Sequence, residues 1–280
     1  MTTTAFVLMA ASIVVHGHRG ARGVLPENTI PAFEHAIDAG ANYLELDLAV
    51  TRDNVLVVSH DAVLPESICT GGAGTRVIRE MTLAQLKQWD CGSRANPAFP
   101  RQKTVPGTRV PTFDEVLALA DRGSFGFNIE TKISAKRPEL TPSPDEFARL
   151  IYDAVHKRGL ENRVLVQSFD FRTLHAMKRI APAIRLNALI GREDTRDWAV
   201  VAQESGAGCI APEYVLVTPE RVRKAHAIGL TVVPWTVNDA AEWDRLIAAG
   251  VDGIITDDPA ALLAHLHSAP PSRAAPPQRP

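Results

Sequence analysis

The sequence predicts an α/β fold of the TIM (β/α)8 barrel class, and three observations support this prediction. The 280 residues, 45% of them hydrophobic, can bury one core of barrel size and leave no room for a second full domain. From Ile13 onward, short β-branched runs alternate with helical patterns of period 3.6, which is typical of repeated βα units. Eight of these runs can serve as barrel strands. We therefore expect one domain over residues 1–267 and a disordered, Pro-rich tail at 268–280.

Nine runs are candidate strands, one more than a closed barrel needs. They lie at residues 12–16, 43–49, 55–59, 125–131, 164–168, 185–190, 208–211, 231–235 and 253–256. The second and third are too close together for a parallel pair, which needs a crossover of about a dozen residues or more. They are therefore predicted to form an antiparallel hairpin that turns between Asp53 and Asn54 and extends barrel strand 2. In that hairpin His60 lies opposite Asp47.

Helix start signals and one long insertion complete the predicted architecture. Thr112 and Ser143 each begin a capping-box pattern, with Glu at the third helical position. Before Thr112 runs an inserted segment of Gly- and Pro-containing sequence, about residues 61–110, with one short helical piece at 83–89. Connections of this length are too long for ordinary loops and are usually functional covers beside a site.

The charge balance and hydropathy limit the partners. With 30 basic and 32 acidic residues the net charge is −2, so no basic surface is indicated for phosphate neutralisation, and we expect no nucleic-acid binding. No uninterrupted apolar run approaches the roughly 20 residues that span a bilayer, so no stable membrane insertion is expected. A small-molecule ligand is the remaining expectation, and the oligomeric state stays open.

The N-terminus and the cysteines bear on the compartment. Residues 5–11 are apolar like the core of a signal peptide, but no Lys or Arg precedes them, and we interpret them as a lead-in to the first strand. We expect a cytoplasmic protein, with export to the periplasm or the medium as the alternative. Cys69, Cys91 and Cys209 have no CxxC spacing and are expected to be ordinary thiols. A Cys69–Cys91 disulfide in an oxidising compartment is the alternative.

Acidic residues occur where a barrel normally carries apolar ones. Strict alternation along residues 43–48 places Glu45 and Asp47 on the inner face of the second strand, and Glu130 and Lys132 take the same face of the 125–131 strand. Buried carboxylates are costly unless they are protonated, paired or bound to a metal. The convergence of three acids therefore predicts a cation site at this end of the barrel.

Oxygen ligands favour one hard divalent cation, Mg²⁺ or Ca²⁺, over zinc. The alternative is a structural salt-bridge network in which the acids pair with Lys132 and Arg19. For a single carboxylate both interpretations stay open, but three acids together favour the metal.

Two histidines are candidates for proton transfer. His18 follows the first strand, next to the guanidinium of Arg19, which is suited to a bidentate phosphate contact. His60 arrives from the hairpin at the same level. Two histidines beside an anion site would supply the general acid and general base that cleavage of a phosphodiester requires. His16 is interpreted as structural.

Seven short motifs occur in order along the chain. They are His18-Arg19-Gly20, Pro26-Glu27-Asn28-Thr29, Glu45-Leu46-Asp47, Ser59-His60-Asp61, Glu130-Thr131-Lys132, Gln167-Ser168-Phe169 and Pro234-Trp235-Thr236. Together they resemble the successive motifs of glycerophosphodiester phosphodiesterases. Each motif alone is weak, but seven in family order through nearly the whole barrel are specific. The inserted segment at 61–110 also falls where this family carries its insertion.

The resemblance implies a site and a reaction. Glu45, Asp47 and Glu130 would bind the divalent cation, His18 and His60 would act as acid and base, and Arg19 with Lys132 would hold the phosphate. In the family's mechanism a glycerol hydroxyl attacks phosphorus and expels the alcohol, and water then opens the cyclic phosphate. Substrates such as glycerophosphocholine or glycerophosphoethanolamine would give sn-glycerol 3-phosphate and an alcohol.

Three further residues have two interpretations each. Trp235, at the end of the seventh barrel strand, lines the glycerol pocket or plugs the barrel mouth, and the resemblance favours the pocket. Phe169 is expected mainly to pack. Glu27 has either a structural role near a helix N-terminus or a role in the site.

Three other functions compete with this one. A metal-dependent amidohydrolase would take its metal ligands from His16-x-His18 and from Thr256-Asp257-Asp258, but the intermediate strand ends offer no imidazoles for its metals. A phospholipase D-like enzyme acting on lysophospholipids or sphingomyelin would use the same site, and an exposed apolar face on the inserted segment would favour it. A barrel that binds phosphodiesters without turnover should have lost His18, His60 or an acid, and all are present.

Overall fold

The structure is a computed structural model that describes residues 13–268, and its centre is a barrel of eight parallel strands. The barrel strands are β1 (Val14–Gly17), β2 (Tyr43–Val50), β6 (Gly126–Thr131), β7 (Val164–Ser168), β8 (Arg185–Ile190), β9 (Cys209–Pro212), β10 (Thr231–Val232) and β11 (Gly253–Thr256). Three short strands lie outside the barrel: β3 (Leu56–Val58), β4 (Thr70–Gly71) and β5 (Trp89–Asp90). The predicted fold class is confirmed.

Parallel pairing runs in the order β10-β9-β8-β7-β6-β2-β1-β11. Backbone hydrogen bonds bridge the remaining gap: Asp252 N donates to Val232 O at 2.9 Å, and Ile255 N donates to Pro234 O at 3.0 Å. All carboxyl ends of the strands therefore meet at one face, where barrel enzymes carry their functional groups.

Helices cover the outside of the barrel. They are α1 (Ile30–Ala39), α2 (Leu83–Leu86), α3 (Phe113–Leu117), α4 (Pro144–Lys157), α5 (Phe171–Ile180), α6 (Trp198–Ser205), α7 (Pro219–Ala227), α8 (Ala240–Ala249) and α9 (Pro259–Ser268). The predicted caps are present, since Thr112 forms a complete capping box and the Ser143 side chain accepts from Glu146 N. Apart from α2, which lies in the inserted segment, the apolar faces of these helices pack on the outward leucines and valines of the strands to form one large core.

The predicted hairpin exists, but its register differs from the prediction by one residue. β3 pairs antiparallel with β2, and Ser59 N donates to Asp47 O at 2.9 Å. Ser59, not His60, therefore lies opposite Asp47, and the predicted cross-strand pairing of His60 is wrong.

The turn explains the shift. Thr51 N donates to Val55 O at 3.0 Å, so three residues form the loop instead of two. The last of them, Asn54, has φ +59°, a left-handed conformation that completes a three-residue hairpin turn. Lengthening the loop from two residues to three shifts every cross-strand pair of the hairpin by one residue.

The inserted segment forms a small structure of its own at the carboxyl face. Ile78, Met81, Leu86 and Trp89 are among its buried side chains, and they form a separate apolar cluster beside the hairpin. β4 and β5 pair antiparallel, with Thr70 opposite Asp90. The segment is therefore compact, and its role as a cover beside the site stays a prediction.

Cys69 and Cys91 form a disulfide within this segment, so the expectation of ordinary thiols is wrong for these two residues. The pairing of Thr70 with Asp90 explains the bond, because it places the preceding Cys69 directly across from the following Cys91. Cys209 is a buried free thiol, as expected.

The predictions for both termini fall largely outside the described residues. The lead-in at residues 5–11 is not part of the described chain, and β1 begins at Val14. Ser268 ends α9, and the predicted tail beyond it also lies outside. Within residues 13–268, no helix has the length and apolar character needed to cross a membrane.

The disulfide gives a direct thiol count. Protein purified without reductant and then denatured should contain one titratable thiol, that of Cys209, and reduction should raise the count to three. Reduction should also lower the free energy of unfolding in urea by about 2–4 kcal/mol, because the open loop regains chain entropy in the unfolded state. Three thiols before reduction would contradict the assignment, and a Cys69→Ser/Cys91→Ser variant should not respond to reductant.

Candidate active site

Three carboxylates converge inside the carboxyl end of the barrel, as the strand alternation predicts. β2 and β6 are neighbours in register, with Asp47 beside Glu130, and Glu45 lies two residues earlier on the same face. One oxygen of each residue lies within 4.8 Å of the others, and all three side chains are buried.

Burial and mutual repulsion make the charged forms of these carboxylates unfavourable. Burial raises the pKa of Glu45 and Glu130, and the neighbouring negative charges raise that of Glu45 further. Burial also opposes ionisation of Asp47, but Arg19 and Lys132 hold its pKa below the ordinary value. Oδ1 of Asp47 is buried and makes no hydrogen bond to any described residue. An unpartnered carboxylate oxygen among three acids fits a hard divalent cation.

Neighbouring side chains orient these acids. Gln167 Nε2 donates to Glu45 Oε1 at 2.9 Å, and the backbone N of Arg19 donates to Glu45 Oε2 at 2.8 Å. Asn28 Nδ2 donates to Asp47 Oδ2 at 2.8 Å. These bonds engage both oxygens of Glu45 and Oδ2 of Asp47, and they thereby fix the orientation of the two carboxylates. The motifs contain Asn28 and Gln167, but the sequence assigned neither of them a role.

Two cations line the same space. Nζ of Lys132 lies 2.7 Å from a carboxylate oxygen of Glu130 and 3.6 Å from Asp47 Oδ1. Nε of Arg19 lies 3.3 Å from Asp47 Oδ2, and its Nη1 donates to Glu27 at 2.6 Å. The salt bridges of the structural alternative are therefore present, although they leave Asp47 Oδ1 unsatisfied. The contact with Arg19 also places Glu27 in the site and not merely at a helix end.

The backbone at Arg19 is unusual, with φ +49°. The next residue, Gly20, has φ +84°, and a Cβ there would lie 2.6 Å from the carbonyl carbon of Ala32 in α1. Glycine at this position therefore lets the loop pack against α1, and the Arg19 N–H points inward to Glu45.

His18 is the less exposed histidine of the site, with 12% of its side chain accessible. Its Nδ1 donates to Asp257 Oδ1 at 2.6 Å, and that carboxylate also accepts from Arg22 and Asn238. Burial lowers the pKa of His18 to about 4, although Asp257 acts in the opposite direction. The neutral ring with its proton on Nδ1 leaves Nε2 as a proton acceptor, 3.9 Å from Glu45 Oε2.

His60 is the more exposed histidine, with 32% of its side chain accessible. Its Nδ1 donates to Asp61 at 2.8 Å, which lowers the pKa of that carboxyl group. Although the hairpin register is shifted, His60 still borders the same cavity as His18. The structure thus places two histidines of different exposure around one space.

The space between the two histidines, called here the catalytic cavity, has a volume of about 370 Å³. It is bordered by both candidate histidines, His18 and His60, and by both candidate phosphate-binding cations, Arg19 and Lys132. Trp235 forms part of its wall, as the pocket interpretation predicts, and its Nε1 donates to Ala211 O at 2.8 Å. Phe169 packs edge-on against Trp235, with 5.5 Å between the ring centroids. It also lines the cavity, and 48% of it is exposed.

Sequence reasoning missed the residues that hold His18. Asp257 entered only as a metal ligand of the rejected amidohydrolase alternative, and Arg22 and Asn238 did not enter at all. The available signal was the position of Asp257, one residue after β11, beside the strand that leads to His18. His16 is buried against Tyr43 and Asn128, as its structural interpretation predicts.

A TIM barrel that gathers acids, cations and two histidines at one mouth defines a class of phosphodiester-cleaving enzymes. The amino-acid sequence identifies the family within that class. Residues 18–261 match the model of the glycerophosphoryl diester phosphodiesterase family. The chain belongs to this family, whose activity is the hydrolysis of glycerophosphodiesters.

Individual relatives agree with this assignment. A glycerophosphodiester phosphodiesterase from Caldanaerobacter subterraneus subsp. tengcongensis is 35% identical over 250 residues, covering 89% of this chain and 96% of the relative. One from Bacillus subtilis strain 168 is 34% identical over 258 residues, covering 88% and 84%. A crystal structure from Silicibacter pomeroyi DSS-3, provisionally described as a glycerophosphoryl diester phosphodiesterase, aligns with a TM-score of 0.85 at 31% identity. It covers 92% of this chain and 94% of that one.

Asp257→Asn tests the link to His18. An amide in place of the carboxylate no longer fixes the proton on Nδ1, so we expect kcat to fall about 10²- to 10⁴-fold with KM and cation affinity nearly unchanged. Steady-state kinetics and calorimetric titration with Mg²⁺ or Ca²⁺ measure the two effects. Asp244→Asn, which alters a surface carboxylate bonded to His265, is the matched control and should retain full activity. Normal kcat in Asp257→Asn would remove this role.

Proposed function

We propose that this enzyme hydrolyses glycerophosphodiesters with small head groups, such as glycerophosphocholine or glycerophosphoethanolamine, to sn-glycerol 3-phosphate and an alcohol. The single observation that carries the proposal is the pair of unlike histidines, His18 and His60, on one cavity that Glu45 and Glu130 also line, with Asp47 buried next to these two acids. The family assignment supports the same reaction.

His18 is the proposed general base of the first step. Its Nε2 faces the cavity without the ring proton, and Asp257 stabilises the positive charge that the ring gains. The glycerol hydroxyl next to the phosphoryl group transfers its proton to Nε2 while its oxygen bonds to phosphorus.

His60 is the proposed general acid. It carries the second proton, with Nδ1 held by the Asp61 carboxylate, and donates it to the alcohol oxygen as the bond from phosphorus to that oxygen breaks. In the second step water opens the cyclic phosphate. His60 then takes the proton of water, and His18 returns its proton to the glycerol oxygen.

Glu45, Asp47 and Glu130 are the proposed ligands of one divalent cation, Mg²⁺ or Ca²⁺, which when bound would stabilise negative charge on the phosphoryl oxygens. Arg19 and Lys132 add two fixed positive charges at the same place. Both already contact the acids, so a bound phosphate would compete with Glu27 for the Arg19 guanidinium. Trp235 is proposed to cover the glycerol carbons.

The lysophospholipid alternative depends on an apolar surface that could receive an acyl chain. Within residues 61–110, all of which the structure describes, Val63 is the one large hydrophobic side chain that is exposed, at 40%. A single exposed valine is ordinary for a protein surface. This observation favours small deacylated diesters over lipids.

The compartment is part of the proposal. Disulfides persist in oxidising environments, so the Cys69–Cys91 bond favours the exported alternative over the cytoplasmic expectation. Fractionation of the native cells tests this, and enzyme confined to the cytoplasm with reduced thiols would restore the original expectation.

The cation is tested with EDTA-stripped protein. Release of glycerol 3-phosphate from glycerophosphocholine should depend on added Mg²⁺ or Ca²⁺, and the effective ion should raise the melting temperature because it binds only the folded state. Asp47→Asn should weaken calorimetric binding of that ion about tenfold or more, since a charged ligand is lost. Undiminished affinity in Asp47→Asn would exclude it as a ligand, and activity without any cation would refute the metal requirement.

Histidine variants test the two proton-transfer roles. His18→Ala and His60→Ala should each lower turnover about 10²- to 10⁴-fold while cation affinity is nearly retained. A p-nitrophenyl ester of glycerophosphate needs no proton on its leaving group, so it should restore much of the release step in His60→Ala but not in His18→Ala. Restoration in His18→Ala alone would reverse the assigned roles, and full activity of either variant on glycerophosphocholine would remove that histidine from catalysis.

A further inference from the structure

A second cleft of about 260 Å³ opens beside the catalytic cavity. Four residues border both spaces: His60, Glu130, Lys132 and Phe169. The cleft, called here the side cleft, runs from this shared border between the start of the inserted segment and the connection from β6 to α4. The two spaces therefore adjoin at His60.

The two histidines differ in which space they border. His18 and Trp235 line the catalytic cavity and not the side cleft, whereas His60 lines both. In phosphoryl transfer the attacking and leaving oxygens lie roughly in line on opposite sides of phosphorus. If the glycerol hydroxyl lies toward His18, the leaving oxygen faces His60 and the side cleft beyond it.

We propose that the side cleft is the subsite for the leaving alcohol, and that it selects a compact alcohol with a methylated ammonium group, of the choline type. This proposal rests on the proposed function above, whose direction of attack it uses. It adds the residues that discriminate between head groups, none of which takes part in the transfer itself.

Most of the exposed surface of the cleft walls is apolar, although Ser134, Arg137 and Thr141 also border it. Ile133 and Leu140 are half-buried, and Phe169 lies at the shared border. Methyl groups on a cation can pack against aliphatic side chains and an aromatic ring without losing hydrogen bonds. A polyhydroxylated head group such as inositol would place several hydroxyls against this apolar surface, and hydroxyls left without partners give strong discrimination.

The charges at the rim favour a cation. The Asp61 carboxylate lies at the rim beside His60, and it keeps its negative charge after His60 has given its proton to the alcohol. Arg137 and Lys132 are the opposing charges, and each is paired with a carboxylate: Nε of Arg137 donates to Glu139, and Nζ of Lys132 donates to Glu130 at 2.7 Å. The cleft volume of about 260 Å³ accommodates a small alcohol.

Leu140→Trp fills the cleft and provides the test. Its kcat/KM should be compared with wild type for glycerophosphocholine, glycerophosphoinositol and glycerol 1,2-cyclic phosphate, which carries no head group. We expect wild type to prefer the choline diester over the inositol diester about tenfold or more. The variant should lose about tenfold or more on the choline diester and keep cyclic phosphate hydrolysis within about twofold. Val200→Trp, a similar change on the outer face of α6, should alter none of these rates.

The outcomes separate the subsite from the reaction. Unchanged kcat/KM for the choline diester in Leu140→Trp, or no wild-type preference over inositol, overturns the subsite. If Leu140→Trp also loses cyclic phosphate hydrolysis, Leu140→Ala decides instead: a narrowed preference for choline over inositol supports the subsite, and an unchanged preference overturns it. Wild type that opens neither the diesters nor the cyclic phosphate refutes the proposed function itself.

Discussion

The burial of three carboxylates on two adjacent strands is the constraint on which the rest of this structure depends. Asp47 and Glu130 are neighbours in the β2–β6 register, so their charges cannot be separated without breaking the barrel. The protein balances them with Lys132 and Arg19, whose pKa values rise because of these acids even though burial acts against it. A divalent cation would bind Oδ1 of Asp47, which makes no hydrogen bond to any described residue.

A hydrogen bond between residues that follow the first and the last barrel strand also shapes the site. β1 and β11 pair in parallel, with Gly17 beside Thr256, so the residues that follow them, His18 and Asp257, project from adjacent strand ends. The resulting 2.6 Å hydrogen bond between residues 239 positions apart fixes the tautomer of His18. The strand pairing that closes the barrel therefore also positions His18.

The inserted segment makes the site asymmetric. It supplies Asp61, which borders the side cleft next to His60. The catalytic cavity is lined by His60, which follows the hairpin, and by residues at the strand ends of the barrel, such as His18 and Trp235. The apolar cluster of the segment, which also includes Ala49 of β2 and Val57 of β3, and the Cys69–Cys91 disulfide hold the segment against the hairpin.

Alternation with period 2 and capping patterns are local features, so the amino-acid sequence alone predicted the barrel, the inward-facing acids and the helix starts at Thr112 and Ser143. The hairpin register required the left-handed conformation of Asn54 in the turn, which the residue types of the turn leave open. The disulfide required the antiparallel pairing of Thr70 with Asp90, and the partnership of His18 with Asp257 required closure of the barrel. These last two features arise from contacts between residues far apart in the chain, for which a single sequence carries no local signal.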